Sequence, residues 1–471
     1  MSSSISKRDA LISLPPEWPD DLLPAIQDQV SASGRRIVVL DDDPTGTQTV
    51  HGVPVLTTWS EKALTRELRG GARTFYILTN SRSLAAEAAN ALGREIGDNL
   101  ARAAKQTGAT IEVISRSDST LRGHFPGEVE ALKEGLGVPA LPCLLVPFFL
   151  EGGRYTIDDV HYVAEGDRLV PASQTPYARD AVFGYRHSHL GQWIGEKTEN
   201  RVPAESICTI TLRNLRQDGP SVVAEKLVSM APGSHGIVNA AAYRDLEVLV
   251  AGLLRAEAAG KAFIFRTAAS FVRVRCGITP RDLLRRDEVT AANDQGGLFV
   301  VGSYVPKTTD QLSALLQDSA ITAIEIAVDS LLNDKACERE VHRAIGGVND
   351  AIRQGEDTVV FTSRKLVTGV DDWTNLAIGQ RVSDSLIRIV QGLNCQPRYL
   401  VAKGGITSSD VATRGLGVQR AMVMGQVLPG VPVWKLGNET RFPGMAYIVF
   451  PGNVGDDDAL AVIRRHLVRR T

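Results

Sequence analysis

The sequence predicts a two-domain α/β protein with mainly parallel sheets, and three observations carry that prediction. Short β-branched runs alternate with helical patterns along nearly the whole chain, the rhythm of parallel strands joined by crossover helices. The chain has 471 residues, more than one hydrophobic core readily serves at roughly 100–200 residues per domain. Glycine, at 43 residues, exceeds the usual ~7%, and part of the excess stands where strands pass into helices.

In chain order, residues 1–34 are polar and rich in proline (Pro15, Pro16, Pro19), and are predicted as an N-terminal arm, either poorly fixed or a short leading helix. Residues 35–275 form the first domain. Its strands are Ile37–Leu40, Phe75–Leu78, Ile111–Ile114, Leu144–Val146, Ile207–Leu212, Gly236–Val238 and Ala262–Phe265, with helices such as Leu84–Ala104, Pro126–Gly135 and Arg244–Ala259 between them. The stretch Glu151–Thr198 has neither period and reads as a long loop region. A charged segment, Arg281–Gln295, links to a second domain over 295–471. Strands there are expected at Leu298–Gly302, Ala323–Val328, Thr358–Phe361, Tyr399–Ala402 and Ala446–Phe450, with helices at Asp310–Gln317, Cys337–Gln354 and Ser383–Leu393.

Composition narrows the function. With 43% hydrophobic and 23% charged residues, the chain lies far from disordered or disulfide-scaffold compositions. Lys plus Arg (52) nearly cancels Asp plus Glu (54), so no global basic field recommends nucleic acid or an anionic membrane as partner. Five widely spaced cysteines without a C-x-x-C pair read as reduced thiols. Prolines interrupt any N-terminal apolar core and no apolar run approaches the ~20 residues of a membrane span. A cytoplasmic protein is expected.

Ligands of open α/β sheets lie beyond the carboxyl ends of the strands. In the second half three post-strand loops share a glycine-rich form: Gly302-Ser303 through Lys307-Thr308, Lys403-Gly404-Gly405-Ile406-Thr407-Ser408, and Pro451-Gly452-Asn453-Val454-Gly455. Glycine lets backbone amides approach a phosphate, and Ser or Thr adds a hydroxyl donor. Together the three read as a nucleotide cradle, though neither G-x-x-x-x-G-K-[ST] nor G-x-G-x-x-G occurs. The first half carries side-chain chemistry instead. Asp41-Asp42-Asp43-Pro44-Thr45-Gly46 suits a polyol clamp with one Asp as general base, Mg²⁺ ligation, or a solvated acidic turn. Thr79-Asn80-Ser81-Arg82 and Arg116-Ser117-Asp118-Ser119-Thr120-Leu121-Arg122-Gly123 mix guanidinium, carboxylate and hydroxyl groups, which suits a sugar acid or structural salt bridging among Arg82, Asp118 and Arg122. His51, His161, His187, His189 and His235 show no metal-ligand spacing, and no nucleophile-elbow pattern surrounds Ser119 or Ser303.

Several of these segments resemble the four-carbon acid sugar kinases, a family once filed as a domain of unknown function. The resemblance rests on Asp42-Asp43-Pro44-Thr45-Gly46-Thr47, Thr79-Asn80-Ser81-Arg82, Asp118 to Gly123, Pro147 through Gly153-Arg154, Gly302-Ser303, Gly404-Gly405-Ile406-Thr407-Ser408 and Gly452-Asn453-Val454-Gly455, and spans Arg36 to the C-terminus. Pro44, Thr47, Pro451 and Val454 depart from the family pattern, and Asp41 adds a carboxylate. The resemblance implies an ATP- and Mg²⁺-dependent kinase, a phosphotransferase with an alcohol acceptor, acting on threonate, erythronate or an oxo-tetronate, its active site in the interdomain cleft. It implies ATP contacts at Ser303, Gly404, Gly405, Ile406, Thr407 and Gly452. Substrate contacts fall on Asp43, Arg82, Ser119, Arg122 and Arg154, with Asp42 or Asp118 as the catalytic base. No metal-binding residue is assigned, and a homo-oligomer is left open. The alternatives are a nucleotide-binding regulatory protein of this fold without kinase activity, and an isomerase or aldolase acting on a phosphorylated sugar.

Overall fold

The computed structural model describes residues 4–303, 305–364, 372–452 and 454–468. The chain divides into two compact units, Met1–Pro280 and Arg281–Thr471.

The first unit is built on an all-parallel sheet. Its strands run, side by side, Cys208–Ile210, His235–Val238, Cys143–Val146, Ile264–Thr267, Ile111–Arg116, Arg36–Asp41, Thr74–Leu78 and Val53–Leu56. Strand Arg36–Asp41 is buried on both faces and reads as the near-continuous apolar run expected of such a sheet. Helices Ala86–Thr107 and Gly127–Gly135 pack against it, and the core gathers Phe75, Ile77, Ile96, Leu100, Leu132 and Trp193. After Arg36–Asp41 the chain first adds strands on one side, then crosses to place Ile111–Arg116 on the other. That reversal opens a crevice at the carboxyl ends of the two central strands.

Two parts of this unit differ from expectation. The Glu151–Thr198 stretch is not a loop: Arg154–Ile157, Val160–Glu165 and Arg168–Pro171 form an antiparallel sheet, followed by helix Leu190–Lys197. Its first hairpin turns through Asp158 and Asp159, at φ of 50° and 60°, so an Asp pair adopts the left-handed conformations that a two-residue turn needs and Asn-Gly usually supplies. Of the two forms expected for the N-terminal arm, residues 4–34 take the helical one, with helices Lys7–Ile12 and Leu23–Ala32, and add a strand. Ile5–Ser6 adds to this small sheet beside Arg168–Pro171, and helix Leu23–Ala32 buries Ile26 and Val30. Gln27 is tied to the Gly277 carbonyl and the Leu22 amide to Glu247.

In the second unit the order is Arg420–Leu428, Val431–Leu436, Ala446–Phe450, Leu400–Lys403, Leu298–Val301, Thr358–Thr362 and Thr322–Ile326. The last five strands run parallel, while the first two form an antiparallel hairpin turning at Pro429-Gly430. That hairpin is absent from the sequence-based expectation, although strand Arg420–Leu428 alternates buried and half-exposed residues strictly. No helix among the described residues is long and apolar enough to cross a membrane.

Candidate functional site

Register in the first unit places Leu78, Asp41, Arg116 and Thr267 in one row at the carboxyl edge of the sheet. The loops that follow these strands therefore leave from one line. Asp41, expected in the turn, is the buried last residue of its strand. Its Oδ1 accepts from Arg116 Nη1 at 2.9 Å. Burial dominates nonetheless, and with the neighbouring Asp42 and Asp43 it brings the Asp41 pKa up to about 7. Gly46 folds directly over this carboxyl: a Cβ there would lie 2.0 Å from Asp41 Oδ2, so the Thr-Gly pair reflects a close approach.

Beyond the row, charges alternate. Arg82 donates from Nε and Nη2 to the two carboxylate oxygens of Asp42 at 3.2 and 2.5 Å. Its Nη1 lies 3.5 Å from Asp43 and 3.6 Å from Asp118. Asp118 in turn accepts from Arg122 Nε at 3.0 Å and Nη2 at 3.2 Å, and Arg122 reaches Asp180 at 3.5 Å. Ser117 Oγ donates to Asp42, and the Thr45 amide and hydroxyl donate to Asp43. Burial alone would raise Asp42 and Asp118. Arg82 together with Arg116 and Ser117 outweighs it at Asp42, and Arg122, Arg82 and Thr120 do so at Asp118, holding Asp42 below and Asp118 well below the ordinary carboxylate value. The Asp42 side chain is 3% exposed, against 11% for Asp118, 18% for Arg82 and 21% for Arg122. Asp118 and the two guanidinium groups thus form the open face of the cluster, while Asp42 stands behind.

The structure brings Asp42, Asp43, Arg82, Asp118 and Arg122 into one network. Arg154, on the small antiparallel sheet, approaches through Tyr177, whose ring lies 5.1 Å from the Arg122 guanidinium and 5.6 Å from that of Arg154. Ser119 is held by its backbone: its carbonyl meets His161 Nε2 at 2.8 Å, and Thr156 Oγ1 meets His161 Nδ1 at 3.0 Å. Burial lowers the His161 pKa to about 4. The ring is therefore neutral at pH 7, with Nε2 donating to Ser119 and Nδ1 accepting from Thr156.

Three further groups escaped the sequence reading. Arg266, buried in strand Ile264–Thr267, donates to the carbonyls of Asp118 and Arg122 and so holds that loop from beneath. Glu128, raised to about 7 chiefly by burial and then by Asp42, accepts from Ser81 Oγ at 2.6 Å. Asp180 closes the charge chain at Arg122. The available signal for Arg266 was a charge inside an otherwise apolar strand.

The second unit repeats the geometry with other chemistry. Register aligns Val301, Lys403 and Phe450, so Gly302, Gly404 and Pro451 begin three adjacent loops. Gly404, at φ 105°, donates its amide to the Phe450 carbonyl at 2.8 Å, and a Cβ on it would lie 3.5 Å from Ser303 Cβ. A Cβ on Gly302 would lie 2.8 Å from Thr407 Oγ1. Ser303, Gly404 and Thr407 are therefore neighbours; Gly405 follows Gly404, and Ile406 is 61% exposed. Gly452 is half-buried, while Asn453 and Tyr304, both within the expected loops, lie outside the described residues. Among the described residues no group of three or more His, Cys, Asp or Glu side chains could hold a metal ion.

Residues 37–275 match the model of a sugar-binding N-terminal domain, and residues 298–460 that of a nucleotide-binding C-terminal domain. The acid-and-guanidinium cluster lies within the first match and the glycine loops within the second. The chain belongs to the four-carbon acid sugar kinase family. It is 24% identical over 369 residues to a D-erythronate kinase of Heliobacterium modesticaldum, covering 75% of this chain and 79% of that protein. Over 136 residues it is 33% identical to a D-threonate kinase of Bordetella bronchiseptica, covering 29% of this chain and 31% of that protein. The fold is shared with a crystal structure of a Haemophilus influenzae protein of family DUF1537, at a TM-score of 0.61 and 17% identity over 92% of this chain and all of the other.

Proposed function

We propose that this protein is an ATP-dependent kinase of a small, four-carbon sugar acid such as threonate, erythronate or an oxo-tetronate, transferring the γ-phosphoryl group of ATP to a substrate hydroxyl. The observation that carries the reading is the Asp42–Arg82–Asp118–Arg122 network at the carboxyl edge of the first sheet. The names of the erythronate and threonate kinases it resembles support the substrate class.

In this reading Arg82 and Arg122, the partly open guanidinium groups, take the substrate carboxylate. Asp118 and Asp43 take vicinal hydroxyls, with Ser119 and Arg154 at the rim. Asp118, the more open of the two base candidates, receives the hydroxyl proton, and Asp42 fixes Arg82. A carboxylate of low pKa suffices, because phosphoryl transfer needs the hydroxyl positioned and takes its proton late. Ser303, Gly404, Gly405, Ile406, Thr407 and Gly452 hold the nucleotide. Bound ATP supplies the phosphoryl group. The described donor set offers no dedicated cage, so Mg²⁺ would come with the phosphates and keep several of its waters.

ADP release by the purified protein with Mg-ATP, measured across four- to six-carbon sugar acids, tests the proposal. Turnover on a four-carbon acid is expected. ATP binding with no turnover on any acid would favour the regulatory alternative instead.

A further inference from the structure

One buried cation of the second unit, Lys403, lies directly behind the glycine loops. Lys403 ends strand Leu400–Lys403 and is sealed from solvent. Val301 and Phe450 flank it in register, and Nζ lies 4.1 Å from the centre of the Phe450 ring. Nζ donates to the carbonyls of Pro451 at 2.6 Å and Gly452 at 3.1 Å. No carboxylate among the described residues pairs with it. The charge that reaches it is Lys307, on helix Pro306–Leu316, and the loop's own Asp456, Asp457 and Asp458 are exposed. Burial, and then Lys307, lower its pKa to about 7. An unpaired buried ammonium is costly, and an anion arriving nearby would relieve that cost.

A second donor grips the same loop. Gln311, buried on that helix, donates from Nε2 to the carbonyls of Val454 at 3.0 Å and Asp456 at 2.8 Å. In a trans peptide the carbonyl and the following N–H point in opposite directions, and the cis bond among the described residues is Phe125–Pro126, elsewhere. Carbonyls turned toward Lys403 and Gln311 therefore leave the Gly452 and Gly455 amides pointing away from those side chains. N–H groups freed in this way from the protein's own acceptors are donors that an anion can use.

We propose that Lys403 and Gln311 are positioning residues that hold the carbonyls of Pro451, Gly452, Val454 and Asp456 so that the Gly452 and Gly455 amides meet the phosphates of the bound nucleotide, with Lys403 as the buried counter-charge. This rests on the nucleotide reading above.

Calorimetry of the full chain with Mg-ADP at pH 8, in two buffers of different ionisation enthalpy, tests it. At that pH the phosphates are already ionised and Lys403 is largely neutral. Wild-type protein is expected to take up protons on binding. Lys403→Met should bind at least ~10-fold more weakly and without that uptake. Gln311→Leu should weaken binding but keep it, and both variants should raise the KM for ATP while leaving that for the sugar acid unchanged. Should Lys403→Met fail to fold, wild-type uptake and Gln311→Leu decide the matter. Binding by wild type without proton exchange, or unaltered binding by both variants, overturns the clamp. Absence of ADP binding by wild type overturns the nucleotide reading instead.

Discussion

The two loop clusters stand at equivalent places, the carboxyl edge of a parallel sheet, yet differ in what they are made of. In the first unit, side chains do the work: acids and guanidinium groups alternate from Asp42 through Arg82, Asp118 and Arg122 to Asp180, each charge satisfied by the next. In the second, glycine-rich loops follow the strands, and the buried Lys403 ammonium donates to the Pro451 and Gly452 carbonyls with no carboxylate partner among the described residues. The difference matches the chemistry of the two ligands proposed. A sugar acid has a carboxylate and several hydroxyls in fixed positions, and a preformed lattice of opposite charges reads them one by one. A phosphate chain is a diffuse anion, better matched by many amide dipoles and a cation left uncompensated until the anion arrives.

Substitutions can break or sharpen this contrast. The largest effect is expected from Asp118→Asn, with turnover down roughly 10²- to 10⁴-fold and ADP affinity unchanged. Near-normal turnover would remove the first cluster from the chemistry. Arg82→Met leaves Asp42 buried without its main partner, and thermal or chemical unfolding should show a loss of about 3 kcal/mol. Unchanged stability would mean that the charge chain is not coupled. In the second cluster, Gly404→Ala forces a side chain onto φ 105° at a cost of about 1–3 kcal/mol. Steady-state kinetics should show this as a raised ATP KM, with the acid KM unmoved. His161→Leu frees the Ser119 carbonyl and should raise the sugar-acid KM by up to ~10-fold, whereas an effect on ATP alone would contradict the division of labour.

The last effect is one of pH. Asp41 and Glu128 have folded-state pKa values near 7, above their unfolded values, so the folded protein binds more protons between about pH 4 and 7. Their contribution to stability is complete below pH 4 and is lost as pH rises through 7. Asp42 and Asp118, shifted the other way, act only at still lower pH. Buried His161, its pKa lowered to about 4, acts in the opposite sense up to about pH 6.5, so denaturation midpoints at pH 5 and pH 7.5 are compared with those of Glu128→Gln, which should lose less stability between the two than wild type.

How much was legible from sequence depended on whether a signal was local. Strand-to-loop junctions such as Leu40-Asp41-Asp42 and Ala402-Lys403-Gly404 were visible because apolar runs end abruptly there. The antiparallel sheet within Glu151–Thr198 was not visible. Its turn uses an Asp pair, and its outer strand Ile5–Ser6 comes from far away in sequence. Asp41, Arg116, Arg266 and Lys403 share one mark, a charge at or next to the end of a buried parallel strand, of which Arg266 alone went unread. Each is expensive to bury, and each turned out to hold a loop or a neighbouring charge.

By itself the sequence determined the α/β class and the family, because periodicity and post-strand motifs are properties of consecutive residues. Only the tertiary structure decided which carboxylate is open and which is sealed, that Arg82 bridges Asp42 and Asp118, and that Lys403 lies buried beneath the Pro451–Gly452 turn. These depend on strand register and on burial, which raise or lower a charge according to neighbours remote in the chain.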